Sequence, residues 1–350
     1  MTPNPALADR LTDRAEHLAA TAAKRFIAAD AERQSRYGKD AEDMWRGHIY
    51  ERIMELSSAI LLGQPSIFST RVKWSKTAML ARGGHVDDVD VALNVLSSTI
   101  RDDMDDDGMT IIAAYLDADQ KISEGVDTSL LASKLDPALA LDRLTLQDLQ
   151  SAMSGNSLQA METVLDALED GTTVPQIITK VLLPAQYEIG RLWHINEASV
   201  AEEHIVSNTT RRLMAVLADR MHKKTDCGKT VVSAAILGNA HDMGIRAITY
   251  FFEFEGWRTI YLGADTPRQE IVSSIAVYDA DLVLLSAGLT TQLPTLQKTI
   301  DEIRAIHNTL PILVGGNAFL QNDELWKDIG ADGSASDIPH TIVLADQLIT

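Results

Sequence analysis

The stretch Gly238-Asn239-Ala240-His241-Asp242-Met243-Gly244 comes directly after a run of small and β-branched apolar residues, Thr230–Ile236. A run of this length and composition predicts a buried strand, and the apolar spacing after Gly244 predicts an amphipathic helix. The quoted stretch is therefore predicted to be the loop between a strand and the helix that follows it. Such loops lie at the carboxyl edge of a parallel sheet, where ligands bind. We therefore take His241 as a candidate ligand-binding residue.

Three more short β-branched runs follow, at Arg258–Leu262, Asp281–Ser286 and Pro311–Val314, with amphipathic stretches between them. This alternation of strand and helix patterns predicts a parallel sheet that is flanked by helices on both faces. We assign this doubly wound, Rossmann-like α/β domain to residues 228–350.

The residues before this domain have apolar side chains at three- and four-residue spacing, as at Ile49 and Ile53, which predicts helices. Leu135-Asp136-Pro137 interrupts the pattern and predicts a domain boundary. We expect an all-α N-terminal sensor or output domain at 1–137 and a four-helix-bundle cap at 138–227. The fold class is thus predicted to be multidomain, α and α/β.

The charge and composition exclude several classes of protein. A net charge of −19 disfavours nucleic-acid binding, because phosphate backbones attract clustered Lys and Arg. The sequence has no apolar run long enough to span a membrane and no signal-peptide pattern at its start. The single cysteine, Cys227, excludes an internal disulfide framework. We therefore expect a cytoplasmic protein whose partners include neither nucleic acid nor membrane.

Polar and small residues follow the third and fourth predicted strands as well. The third strand ends at Ser286 and is followed by Leu289 and Thr290, and the fourth is followed by Gly315-Gly316. Glycines let the backbone approach a bulky ligand closely. Each signal has an ordinary alternative, because a lone loop histidine is more often a surface or capping residue and a glycine pair is more often a turn.

Taken together and in this order, these motifs resemble the cobalamin-binding domain that methionine synthase, corrinoid proteins and B12 photoreceptors share. The resemblance covers Lys229–Thr350 and includes the family's serine, its glycine pair, and its Asp-x-His-x-x-Gly loop with Asn239 at the place of the Asp. It implies that His241 is the lower cobalt ligand. The residues that it places around the cofactor are Asn239, Asp242, Met243, Gly244, Ser286, Leu289, Thr290, Gly315 and Gly316. Asn239 stands where the family usually has Asp or Glu, so its amide can orient the imidazole but supplies no negative charge.

A second motif lies in the predicted cap. Ser199 followed by Glu202 is a capping box and predicts the start of a helix. Trp193-His194 precedes it, and Glu203-His204 falls in the new helix. This arrangement resembles the cap of adenosylcobalamin-dependent photoreceptors. The resemblance implies adenosylcobalamin, with Trp193, Glu203 and His204 near the upper group and His194 as the upper cobalt ligand after light.

The two resemblances together lead us to expect a light sensor and not an enzyme. Photolysis of the Co–C bond would shift the cap and change the assembly state of a homo-oligomer or the binding of a downstream protein partner. The alternative is a corrinoid protein that carries methyl groups for a methyltransferase system.

The N-terminal region raises the prospect of a second chromophore. The domain order resembles that of photocobilins, which pair cobalamin with a bilin. Candidate contacts for biliverdin are Arg71, Lys73, Arg82, His48, His85, Trp45 and Trp74. The alternative for each is a solvated cation or a core aromatic. Cys227 lies outside this region, so any biliverdin is expected to be noncovalent.

Overall fold

The computed structural model describes residues 1–122, 128–320, 322, 324–335 and 337–349. The chain separates into two compact units, Met1–Leu131 and Ala132–Thr350. In the described part of the chain, no helix combines the length and the apolarity that crossing a membrane requires.

The first unit is helical. Its helices are α1 (Pro5–Ala28), α2 (Ala31–Tyr37), α3 (Ala41–Leu62), α4 (Pro65–Ala81), α5 (Asp87–Arg101) and α6 (Asp106–Ile122). α1 begins where the Asn4 side chain accepts the Leu7 N–H, and Pro5 occupies the first turn, where its missing N–H costs nothing. α1 packs along α3 and buries Leu11 and Phe26 completely. The all-α prediction for this region is confirmed.

The second unit begins with a bundle of helices. These are α7 (Ala140–Met153), α8 (Ser157–Glu169), α9 (Val174–Ile177), α10 (Leu183–His194) and α11 (Val200–Arg220). A wide π-helical turn, Ile178–Leu182, joins α9 to α10. Pro184 accounts for it, because a proline has no N–H for the carbonyl four residues earlier and crowds that carbonyl. That carbonyl belongs to Lys180, and the Thr145 hydroxyl of α7 donates a hydrogen bond to it at 3.3 Å.

A parallel five-stranded sheet with the order β2-β1-β3-β4-β5 follows. The strands are β1 (Thr230–Ile236), β2 (Arg258–Thr266), β3 (Leu282–Ser286), β4 (Ile312–Gly315) and β5 (Gly333–Ser334). The helices between and after them are α12 (Met243–Phe254), α13 (Arg268–Tyr278), α14 (Leu293–Ile306), α15 (Leu325–Asp328) and α16 (Ile338–Ile349). The doubly wound architecture is therefore confirmed. Strand β5 was not predicted, because its two residues are too few to form a pattern.

The bundle and the sheet portion of the second unit share one apolar core. Helix α12 begins two residues after His241 and places Met243, Ala247 and Phe254 in the same cluster as Leu213 of α11. The opposite face of α12 packs on the sheet. Helix α12 therefore connects the bundle to the loop that carries His241. The separation of a cap from an α/β domain within this unit stays a prediction.

Candidate functional site

The loop after β1 presents an imidazole at the carboxyl edge of the sheet. All seven residues of β1 are buried, and the chain leaves the sheet at Leu237. His241 is exposed, whereas its neighbours Asn239 and Asp242 are buried. An exposed ring on a loop that is anchored on both sides is available to bind a ligand.

Asn239 anchors the loop through its side-chain amide. Its Nδ2 donates to the Ser286 carbonyl at 2.9 Å, and its Oδ1 accepts the His241 backbone N–H at 3.1 Å. Both amide atoms are therefore used on backbone groups. The sequence led us to expect that this amide orients the imidazole, but the contacts that the structure gives it hold the loop backbone instead.

Asp242 is the most strongly coordinated side chain of the loop. Its carboxylate accepts hydrogen bonds from Tyr261 Oη at 2.5 Å, Arg246 Nη2 at 2.8 Å and Arg211 Nη2 at 3.1 Å. Burial by itself raises the pKa of Asp242, but these three hydrogen bonds outweigh burial and hold the pKa below its ordinary value. Asp242 is therefore a fixed anion beside the exposed imidazole.

The loops after β3 and β4 come close to the loop after β1. Gly316 has φ +102°, and a Cβ there would lie 2.2 Å from the Ala287 carbonyl oxygen. A Cβ at Gly288 would lie 2.9 Å from Asn239 Oδ1 and 3.3 Å from His241 Cδ2. These two glycines are required because side chains would push the loops apart. A Cβ at the neighbouring Gly315 would make only an ordinary contact, 3.8 Å from the Ala335 carbonyl oxygen.

Gln292 is a residue of this edge that sequence reasoning missed. Its Oε1 accepts the backbone N–H groups of Gly288 and Leu289 at 2.8 and 3.0 Å, and its Nε2 donates to the Gly238 carbonyl at 2.7 Å. It thus ties the loop after β3 to the loop after β1. The only sequence signal was its position just before Leu293-Pro294, at the start of a helix.

The other residues predicted for this edge lie in the same loops. Ser286 is buried at the end of β3, and Leu289 and Thr290 are half-buried in the loop after it. The Thr290 hydroxyl oxygen is buried and has no hydrogen-bond partner among the described residues. A buried hydroxyl with unused hydrogen-bonding capacity can serve a ligand. Met243 is buried in the first turn of α12, whereas Gly244 is exposed.

The predicted cap residues lie around the turn between α10 and α11. The capping box of Ser199 and Glu202 is confirmed. Trp193 is 36% exposed near the end of α10. The Glu203 carboxylate accepts the Ser207 hydroxyl at 2.6 Å, and His204 is exposed with its Nε2 3.6 Å from Glu203 Oε2.

His194 lies differently from the other three cap residues. Only 5% of it is exposed, and both ring nitrogens are buried. The role of His194 as an upper cobalt ligand stays a prediction.

Two of the biliverdin candidates of the first unit, Trp45 and Arg71, are held by buried residues of the helical core. Trp45 is in the core, with its ring centroid 4.3 Å from that of Phe26. The Arg71 guanidinium donates to buried Glu55 at 2.9 Å and stacks 4.3 Å from the Trp74 ring. Lys73 is half-buried, and the exposed candidates are His48, Arg82 and His85. The core-aromatic alternative therefore describes Trp45, whereas Arg71 is held in an ion pair with buried Glu55 and is not a solvated cation.

The residues of the second unit fit a corrinoid cofactor. The site offers one exposed imidazole nitrogen donor, two loops that only glycine permits to lie so close, and an unused hydroxyl at Thr290. Large apolar side chains are also exposed in the relevant segments: Leu237 after β1, Leu320 after β4, and Trp193 and Val200 beside the α10–α11 turn. A large, flat and partly apolar ligand would cover them.

Comparison with protein-family models identifies the class. Residues 229–342 match the B12 binding domain, and residues 148–218 match a second B12 binding domain model. The chain therefore contains B12-binding domains, and cobalamin is its cofactor class.

The chain is also similar to individual corrinoid proteins. The chain is 23% identical over 209 residues to dimethylamine corrinoid protein 1 of Methanosarcina acetivorans. The aligned residues cover 58% of this chain and 97% of the relative. It is 24% identical over 208 residues to a corrinoid protein of Desulfitobacterium hafniense. This alignment covers 57% of this chain and 94% of the relative. The monomethylamine corrinoid protein of Methanosarcina barkeri has a similar fold, with a TM-score of 0.52 and 20% identity, over 60% of this chain and 99% of its own.

These relatives overturn the light-sensing function that the cap motif led us to expect. They are corrinoid proteins, two of them named for methylamines. The expectation was wrong because it rested on four residues at one turn. Of these, Trp193 and His204 are exposed, Glu203 has a short hydrogen bond to Ser207, and the His194 ring is buried. The adenosyl group and the biliverdin were inferred with that function and lose their support with it.

Proposed function

We propose that this protein is a corrinoid protein that carries a methyl group on cobalamin for a methyltransferase system. It would act as the carrier, and the methyltransferases would be its protein partners. The observation that carries the proposal is the exposed His241 imidazole on a loop anchored by buried Asn239 and Asp242. The relatives are corrinoid proteins that match the chain over nearly their whole length, which supports the same function.

Cobalamin, when bound, would supply a cobalt centre that accepts and releases a methyl group. His241 would hold the cobalt as a neutral imidazole. Gly288 and Gly316 allow the loops after β3 and β4 to lie next to His241. The Thr290 hydroxyl would donate to or accept from the part of the cofactor that enters between these loops.

The loop determines how the imidazole is tuned. A carboxylate in contact with the far ring nitrogen would increase the basicity of a ligating histidine. Here Asn239 stands at the family's acidic position and binds backbone groups instead. The nearest carboxylate, Asp242, is taken by two arginines and a tyrosine. We therefore propose that His241 is a ligand without a proton relay behind it.

The bundle would cover the upper face. Trp193 would lie over the cofactor and exclude water, with Glu203 and His204 beside it. This role needs no light, since a carrier has to expose its upper face to a partner and then cover it again. Methylcobalamin is the form that suits it. The homo-oligomer stays a prediction, and the expected absence of nucleic acid and membrane partners is consistent with the net charge of −19.

The test is methyl transfer in darkness. The protein is loaded with 13C-methylcobalamin and mixed with a corrinoid methyltransferase and its thiol acceptor, and the labelled thioether is measured by mass spectrometry. We expect turnover in the dark, slowed at least about tenfold by His241→Ala, since a lost ligand bond is worth more than about 1.4 kcal/mol. His85→Ala, an exposed histidine of the first unit, is the matched control and should transfer like wild type. Product that forms only under illumination would overturn the proposal.

A further inference from the structure

Asp242 occupies a position where an aspartate usually has a local role. It is the residue just before α12, where Asp commonly accepts a backbone N–H of the first turn. Its side chain makes no such capping bond. The carboxylate is used instead by three side chains from three different elements, namely Arg246 of α12, Tyr261 of β2 and Arg211 of α11. Helix capping therefore does not explain this aspartate.

The buried carboxylate has two partners in the sheet portion of the unit and one in the bundle. The two in the sheet portion are Arg246 and Tyr261, and the Arg246 guanidinium lies 4.7 Å from the Tyr261 ring centroid. Together they supply a cation and a hydroxyl to a carboxylate that is 2% exposed. The Arg211 side chain is more than a third exposed. Its hydrogen bond to Asp242 helps to stabilise the carboxylate and also links a helix of the bundle to the loop.

Arg211 connects the bundle to the loop of His241. It lies on α11, where its Nη1 donates to Asn208 Oδ1 one turn earlier at 3.3 Å while Nη2 reaches Asp242. The bundle also meets α12 through an apolar cluster. Apolar contact is not directional, so it permits small rotations of the bundle, whereas a charge-assisted hydrogen bond fixes one orientation.

We propose that Arg211 is a positioning residue, which by binding Asp242 sets the orientation of the bundle against the loop of His241 and so stabilises lower-face ligation of cobalamin. This inference rests on the proposed function, because it takes His241 as the cobalt ligand. Movement of the bundle away from the upper face would break this hydrogen bond. Exposure of the upper face and weakening of the lower ligand would therefore be coupled.

The experiment compares Arg211→Met with Arg212→Met, which removes an exposed arginine at the next position of the same helix. Both variants are saturated with cobalamin and reduced to cobalt(II). The ratio of unligated to imidazole-ligated cobalt is then read from the nitrogen splitting of the electron paramagnetic resonance signal. We expect Arg211→Met to raise this ratio about two- to fivefold, within the range for one partly exposed ion pair. Arg212→Met should leave it unchanged, and Arg211→Lys should restore part of it.

A double-mutant cycle assigns the effect to the pair. Asp242→Asn lowers ligation by itself, and adding Arg211→Met to it should change the ratio by less than about twofold if the two residues act through each other. A merely structural role for Arg211 would lower the melting temperature and leave the ratio of the saturated protein unchanged. That result would overturn the proposal.

A second readout needs no cofactor. Trypsin cleavage after Lys223 and Lys224, exposed residues between α11 and β1, reports movement of the bundle in the cofactor-free protein. We expect cleavage of Arg211→Met to be about three- to tenfold faster than that of Arg212→Met. If wild-type protein showed no imidazole ligation, the proposed function would fail. The cleavage rate alone would then show whether the contact between Arg211 and Asp242 holds the bundle against the loop. Equal rates for the two variants would overturn it.

Discussion

The carboxyl edge of the sheet and the helical bundle treat their buried polar groups differently. At the edge, Asn239 and Asp242 are buried and each makes several hydrogen bonds to other loops and helices. In the bundle, Asp148 of α7 is 1% exposed, and its Oδ1 has no hydrogen-bond partner among the described residues. At these positions the edge pairs its buried side chains, whereas the bundle buries a carboxyl oxygen that has no hydrogen bond among the described residues.

The largest effect is expected from closing the space that the edge loops share. Gly316→Ala should destabilise the protein by about 3 to 4 kcal/mol, because the residue has φ +102° and a Cβ would lie 2.2 Å from the Ala287 carbonyl oxygen. The control is Gly315→Ala, whose Cβ would have no neighbour closer than 3.8 Å. Urea unfolding measures both. If both variants lost the same free energy of unfolding, the loops at the edge would not be closely packed at Gly316.

Asp148→Asn tests the other side of the comparison. Burial raises the pKa of Asp148 to about 7, above its ordinary value of 3.8. The unfolded chain therefore loses this proton first as the pH rises. The stability that protonated Asp148 contributes is full below about pH 4 and is lost as the pH rises to about 7.

We expect Asp148→Asn to raise the free energy of unfolding by about 2 to 3 kcal/mol at pH 8 and to change it little at pH 4, at about 1.4 kcal/mol per pKa unit with some loss to relaxation. Urea unfolding at both pH values measures this, with Asp166→Asn on the exposed side of α8 as the control. A pH-independent effect of Asp148→Asn would show that its carboxyl is paired after all.

The variant Asn239→Asp tests whether the acid that the family usually has at this position can hold the loop in place of the amide. A carboxylate can still accept the His241 N–H, but it cannot donate to the Ser286 carbonyl. We expect a loss of about 2 kcal/mol, the cost of a buried acceptor without its partner beside a new buried charge. Thermal unfolding, together with cobalamin affinity, measures it. A variant as stable as wild type would mean that Asn239 is not the anchor of the loop.

The smallest effect is expected in the cap motif. Glu203→Gln keeps the hydrogen bond from Ser207 and removes only a half-exposed charge, so the free energy of unfolding should change by less than about 1 kcal/mol. Ser207→Ala serves as the comparison, because it removes the hydroxyl that holds Glu203. If Glu203→Gln unfolded as readily as Asn239→Asp, the contrast between the two regions would be wrong.

The fold could be predicted largely from local patterns. Fully buried strands such as β1 are continuous apolar runs, and Pro184, Ser199 and Gly316 mark a helix break, a helix start and a close approach. β5 could not be predicted, since two residues carry no period. The loop after β1 could be predicted as part of the ligand site because it follows the carboxyl end of a strand in a parallel sheet.

The site could be predicted only in part. Tertiary hydrogen bonds decide what Asn239, Gln292 and Arg211 do, and each links segments that are distant in sequence. The cap motif led to the wrong function because the spacing of residues along a helix does not show which side chains are buried. The ring nitrogens of His194 are an example. The proposed function rests on the relatives together with the loop of His241, and the cap motif alone could not supply it.

The most direct test of the account is the electron paramagnetic resonance spectrum of the cobalt(II) protein with and without His241. We predict nitrogen splitting from one axial imidazole in the wild type and in His85→Ala, and its loss in His241→Ala with cobalamin still bound. Splitting that persists unchanged in His241→Ala would contradict the assignment of His241 as the ligand that holds the cobalt.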